Sequence, residues 1–177
     1  MTFQSPDARL LEQLIGLARR TSREIIMPSF RSPNLSISAK SSPHDLVTAA
    51  DETSETFLTE EIRRLYPTAK ILGEETASAD PAILTDIDTA EICFVIDPID
   101  GTWNYAHGIA TFGVAIAVLR HGKPVMGILH DPAFDDTIWA IQRGGAFLRR
   151  PNGQERQLST SAGRAGFINI PALDATK

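Results

Sequence analysis

The sequence predicts an α+β fold in which two N-terminal helices pack on a mostly antiparallel sheet. Three observations carry that expectation. Apolar residues recur at helical spacing up to Tyr66. Beyond Thr68 the pattern changes to short apolar runs separated by Gly, Pro, Asn and Asp. The later runs are joined by connections too short for anything but antiparallel neighbours.

The first helix is expected from residue 8 to about 29, opened by Asp7 and ended near Pro28. Its stripe is Leu11, Leu14, Ile15, Ala18, Ser22, Ile25 and Ile26. Arg19, Arg20 and Arg23 stand toward its C-terminal half, where positive charge suits the helix dipole. Residues 31–45, rich in Ser, Pro and Asn, read as a loop. A second helix runs from near Ala49 to about Tyr66, its apolar stripe formed by Leu58, Ile62 and Leu65.

Strands are expected at Lys70–Gly73, Glu91–Ile96, Phe112–Leu119, Val125–Leu129, Thr137–Ile141 and Ala146–Leu148, with an exposed excursion over 76–90. Asp97-Pro98-Ile99-Asp100-Gly101 reads as a turn that ends its strand. Phe112–Leu119 is almost wholly apolar and suits a central strand covered on one or both faces. Gly166–Ile170 resembles the start of one more strand. One domain is expected over residues 1–160; from the residues alone, 161–177 reads either as a frayed tail or as the start of a further α/β half.

Composition limits the functional classes. Apolar residues make up 42% and charged residues 22%, enough for a real core. The net charge of −5 gives no reason to expect a nucleic-acid polymer as partner. No apolar run approaches the roughly 20 residues that span a bilayer. The polar N-terminus lacks the form of a signal peptide. The single cysteine, Cys93, lies in an apolar run and reads as a buried strand residue. A soluble cytoplasmic protein is the expectation.

Chemistry concentrates where acids stand at the ends of elements. Asp45 and Asp51 flank the start of the second helix, Glu74 and Glu75 follow one strand, and Asp97 and Asp100 follow another. Any one of these could be a turn or a solvated charge. Together they need a reason to converge, because like charges repel, and a divalent cation supplies it. Carboxylates and carbonyls without clustered His or Cys favour a hard ion such as Mg²⁺. Gly101 permits close backbone approach to an anion, and Thr102 adds a hydroxyl. Helical N–H groups beginning near Gly101 would face a phosphate. Two ions about 4 Å apart can activate water for in-line displacement. The pattern points to phosphate-ester hydrolysis without a covalent intermediate.

The segment Asp97-Pro98-Ile99-Asp100-Gly101-Thr102-Trp103-Asn104 is similar to the first signature of the inositol monophosphatase family, the Mg²⁺-dependent, lithium-sensitive type of sugar-phosphate phosphatase. Lys40-Ser41-Ser42-Pro43-His44-Asp45-Leu46-Val47-Thr48-Ala49-Ala50-Asp51 resembles that family's early loop and second-helix start, and Gly73-Glu74-Glu75 stands at the expected interval between them. The resemblance implies the N-terminal half of an αβαβα fold. It implies Glu74, Asp97 and the Ile99 carbonyl as ligands of a first Mg²⁺, with Asp97 and Asp100 sharing a second. Asp51 and Thr102 would pair and, with Glu74, orient or deprotonate the attacking water. Gly101 and Thr102 would hold the phosphate through backbone N–H groups, beside Asp100. Glu75 and Lys40 would support the site, and Asp45 would order the loop. The substrate would be a small phosphorylated polyol or sugar such as inositol monophosphate, and the assembly a homodimer.

Two departures stand out. Trp103 occupies a position where animal members often carry Thr and bacterial-type members Trp. The family's second signature, Trp-Asp followed by small residues, is absent, since Trp103 and Trp139 precede Asn104 and Ala140. A non-catalytic metal-binding or subunit-pairing module therefore stays open beside the enzyme. An aspartyl-phosphate phosphatase of the haloacid dehalogenase type fits poorly: it uses Asp-x-Asp, and two residues separate Asp97 from Asp100.

Overall fold

A computed structural model describes residues 6–39 and 46–159. Lys40, Asp45 and the segment 161–177, with its expected strand, lie outside the described residues. Helix α1 (Pro6–Thr21) continues through a π-helical turn, Ser22–Ile26, into the short α2 (Met27–Ser29). The first expected helix is thus present but widened near its end. Pro28 has no N–H to offer the preceding turn and its ring crowds the carbonyl four residues back. The Met27 N–H bonds instead to the Ser22 carbonyl, five residues back. Thr21 and Ser22 hydroxyls donate back to the Leu17 and Ala18 carbonyls, which also loosens the regular ladder.

Strands β1 (Ile37–Ala39) and β2 (Leu46–Thr48) form a small antiparallel ribbon. It lies partly within the stretch expected to be a loop; three residues per strand are too few to show a period. Helix α3 (Ala49–Leu65) follows directly and stops before Pro67. Thr48 starts it with a capping box: its hydroxyl accepts from the Ala50 and Asp51 N–H groups, while Asp51 accepts from the Thr48 N–H.

The main sheet has seven strands in sequence order: β3 (Lys70–Gly73), β4 (Cys93–Asp100), β5 (Gly113–Arg120), β6 (Lys123–Asp131), β7 (Asp136–Ile141), β8 (Gly145–Arg149) and β9 (Glu155–Leu158). The β3–β4 pair is parallel, and all later pairs are antiparallel. Helix α4 (Glu74–Ala79) and a 3₁₀ turn (Pro81–Leu84) make up the crossover between β3 and β4. Helix α5 (Thr102–Ala106) lies between β4 and β5.

Alternation on β5 turns Val114, Ile116 and Val118 inward. They meet Phe94 and Ile96 of β4, Met126 and Ile128 of β6, and a lid of Leu10, Leu11, Leu14, Ile15 and Ala18 from α1 with Leu58 and Ile62 from α3. Burying such side chains is the main favourable term in folding, at roughly 25 cal/mol per Å² of apolar surface. Arg20 joins the two helices, lying over the Phe57 ring and pairing with Glu61. The opposite sheet face is small and partly open, with Ala115, Ala117, Gly127 and Ala140 between the exposed Val95, Leu129 and Ile138. Cys93 is fully buried in β4. Among the described residues no helix is long and apolar enough to cross a membrane.

One local expectation needs correction. The stretch from Asp97 to Asp100 does not end its strand; β4 runs through it to Asp100. Asp97 faces Ala115 and Asp100 faces Gly113, with a register shift between them. Pro98 and Ile99 occupy that irregularity, where a missing N–H costs no ladder bond. The chain turns only at Gly101, whose φ of 94° suits glycine.

Candidate functional site

The site lies where the start of α3, the β3–α4 junction and the end of β4 meet. Asp51, in the first turn of α3, is 2% exposed. Its Oδ2 accepts from the Thr48 N–H at 2.9 Å and from the Thr48 hydroxyl. Its Oδ1 accepts from the Thr102 hydroxyl at 3.0 Å, and that hydroxyl also stands 3.0 Å from the Ile99 carbonyl. Burial raises the Asp51 carboxyl above the usual carboxylate range, against the pull of the Thr48 and Thr102 hydrogen bonds.

Asp97 is the most perturbed acid. Burial, then the neighbouring Glu74 carboxylate to which it hydrogen-bonds, then Asp100, push it up to about 7. Its Oδ1 is buried with no hydrogen-bond partner. A buried carboxylate oxygen left without a donor is uncommon and calls for a reason. Glu74 opens α4 directly after β3, and Asp100 ends β4 with its side chain exposed. Among the described residues, no three His, Cys, Asp or Glu side chains close into a ligating group. The contacts are the Glu74–Asp97 pair, Asp100 within electrostatic reach, and the Asp51–Thr102–Ile99 chain at the end of the same strand.

Gly101 lets this arrangement form. A Cβ there would meet the Thr111 carbonyl at 3.0 Å, besides its positive φ. Helix α5 is tied down by Tyr105, whose buried hydroxyl donates to the Ile26 carbonyl at 2.8 Å, and by Asn104, whose amide donates to the Thr111 carbonyl. Trp103 is exposed and stacks on His107 at 4.0 Å between ring centroids.

Two residues escaped the sequence reading. Tyr105 gave no signal beyond its place near the acidic motif. Glu55 sits four residues after Asp51 and so shares its helix face, a spacing that was available in the sequence. It is 4% exposed and accepts from the Glu75 N–H at 2.7 Å and the Thr76 N–H at 2.9 Å. Asp131, Asp135 and Asp136 do not form another acidic site. Asp131 accepts from the Ala133 and Phe134 N–H groups, Asp135 pairs with Arg19, and Asp136 pairs with Arg150.

The family model described as the inositol monophosphatase family matches residues 7–171. The chain belongs to that family. Inositol monophosphatase 1 of Sus scrofa is 34% identical over 174 residues, which cover 97% of this chain and 59% of that protein. The fructose-1,6-bisphosphatase/inositol-1-monophosphatase of Thermotoga maritima is 29% identical over 152 residues, 86% of this chain and 54% of that protein. Among solved structures, the extragenic suppressor protein suhB from Bartonella henselae superposes with a TM-score of 0.72 at 29% identity, over 88% of this chain and 56% of that one. The chain spans somewhat more than half the length of these family members.

Proposed function

We propose that the chain supplies the cation-binding and water-positioning part of a Mg²⁺-dependent phosphomonoesterase acting on a small phosphorylated polyol or sugar of the inositol monophosphate kind. The observation that carries this reading is Asp97. Its buried, donorless oxygen beside Glu74 and Asp100 is costly unless a cation takes the place of the missing donor. The donor set, all oxygen with no clustered His or Cys, suits a hard ion.

Glu74, Asp97 and the Ile99 carbonyl would hold Mg²⁺, with Asp97 and Asp100 toward a second ion. When bound, the ion supplies positive charge that acidifies water and stabilises phosphoryl oxygens. The chain's own residues do the rest. Asp51 accepts a hydrogen bond from the Thr102 hydroxyl, which leaves a lone pair of the threonine oxygen to accept from the attacking water. Glu74, exposed at the head of α4, can take a proton from that water. Gly101 and Thr102 offer backbone N–H groups to the phosphate. Glu75 supports the site from α4, and Lys40 does so from the preceding loop. The names of the relatives support the substrate class. The same reading extends to a homodimer in the cytoplasm.

A second reading rests on the share of its relatives that the chain spans: a cation-binding module that is inactive without a further segment. Calorimetric titration of the 177-residue chain with Mg²⁺, beside phosphate release from inositol 1-phosphate, separates the two. Binding with turnover that Glu74→Gln abolishes supports the enzyme. Binding without turnover supports the module. No uptake of Mg²⁺ would remove both.

A further inference from the structure

We infer that Glu55 is a positioning residue that aims the Glu74–Glu75 pair at the site, with Gly73 as the opening that admits it. The inference rests on the Mg²⁺ reading above and adds a residue to it.

Helix α4 begins with no side chain of its own to cap it: Gly73 is its N-cap residue and makes no side-chain hydrogen bond. Unpaired N–H groups at a helix start need acceptors. Glu55 supplies them from a different helix. Oε2 accepts the Glu75 N–H at 2.7 Å, Oε1 accepts the Thr76 N–H at 2.9 Å, and the Thr76 hydroxyl donates to Oε1 as well. A charged acceptor with donors on both oxygens makes a strong and directional clamp. Gly73 is glycine here because of space. A Cβ on it would overlap the Glu55 carboxylate. Its φ of −95° is open to any residue.

Glu55 lies one helical turn from Asp51 on the same face of α3. Asp51 fixes Thr102, at the end of β4. Glu55 fixes the two residues that follow Glu74, in the first turn of α4 just after β3. One helix face therefore sets the distance between the two acidic junctions. Loss of the Glu55 clamp leaves the Glu74 side chain chemically intact but free to swing away from Asp97.

The test compares wild-type chain with Glu55→Gln, which keeps one acceptor oxygen and turns an amide toward the N–H donors. Thermal melting checks the fold, amide hydrogen exchange reads the Glu75 and Thr76 N–H groups, and calorimetry reads Mg²⁺. The expected result is a cooperative melt, about tenfold faster exchange at those two amides, and Mg²⁺ affinity weaker by about 10- to 100-fold. Exchange at the Tyr105 amide stays as in wild type. Unchanged exchange overturns the proposal. Faster exchange with unchanged Mg²⁺ affinity also overturns it, because Glu55 is then a helix cap and nothing more. If Glu55→Gln does not melt cooperatively, Thr76→Val, at an exposed position, removes one donor; an affinity loss of about threefold supports the clamp and no loss overturns it. A wild-type chain that takes up no Mg²⁺ sinks the underlying reading and this one together, whereas Mg²⁺ binding indifferent to both variants sinks this one alone.

Discussion

Replacing Asp97 with Asn should stabilise the chain without Mg²⁺ and remove its response to Mg²⁺. The structure sets the magnitude. In the unfolded chain the Asp97 carboxyl ionises at its ordinary 3.8, and in the fold at about 7. A carboxyl raised by folding favours the native state at low pH, where both forms are protonated, and that advantage is lost as pH rises through about 7. At about 1.4 kcal/mol per pH unit the gap sets a ceiling near 4 kcal/mol at pH 8. Asp97 stands beside the exposed Glu74 and Asp100, where solvent screens the cost, so about 1–3 kcal/mol is the expected gain for Asp97→Asn. The asparagine amide donates to Glu74, as the protonated acid does. Urea unfolding in EDTA should show the variant ahead at pH 8, the gap narrowing as pH falls below about 7 and closing only near the ordinary carboxyl value of 3.8. With Mg²⁺ at about 100 times its Kd, wild type gains about 2.7 kcal/mol and the variant nothing. A variant less stable than wild type at pH 8 in EDTA, a difference that does not change with pH, or equal stabilisation of both chains by Mg²⁺ would refute the reasoning.

Thr102→Val removes the donor to Asp51 Oδ1 and should cost about 1–3 kcal/mol in urea unfolding at pH 8, because it leaves a buried carboxylate oxygen short of a partner. His130 is buried against Thr137, with Asp135, Arg19 and Asp131 around it, and burial lowers its pKa below 6.5. Its contribution is therefore present above pH 6.5 and lost as pH falls toward the folded value. Wild type should lose up to about 1.4 kcal/mol more than His130→Asn between pH 7.5 and 5.5, read as the difference between their unfolding curves. Leu58→Ala, at a fully buried position under the sheet, should lower stability by about 2–5 kcal/mol with no change in Mg²⁺ affinity beyond that of the folded fraction.

What the sequence revealed followed the strength of its periodic signals. Helix α3 is long, capped and striped, and its expected range differs from the observed one by a single residue at the C-terminal end. Strand β3 is bounded by polar residues and glycine and was located in full. Strand β9, Glu155–Leu158, is a polar edge strand; edges carry charge that discourages pairing with other chains, and charge erases the apolar pattern. The Asp97–Asp100 segment contains Pro and two acids, so local propensity favoured a turn. Pairing with β5 kept it in the strand, with the irregularity absorbing Pro98. The acidic constellation was legible as residue types at element ends, and the Asp51–Thr102 hydrogen bond was expected from family resemblance. Glu55 was not recognised, because a buried glutamate within a helix looks like a solvated one until the element that covers it is known.

The wide turn at Ser22–Ile26 reaches further than its place in the chain suggests. A π-helical turn holds one residue more than an α-helical turn, and the surplus leaves backbone groups free for other partners. Here the Ile26 carbonyl takes the Tyr105 hydroxyl as well as the Phe30 N–H. Deleting one residue between 22 and 26 would close the wide turn to regular winding, with the residues before and after it keeping nearly their present orientation. The turn itself would change, and the Ile26 carbonyl that seats the Tyr105 hydroxyl would be displaced. The N-terminal helix and the loop that ends β4 are thereby keyed to each other, so the chain tolerates length changes in its exposed hairpins far better than in this one turn.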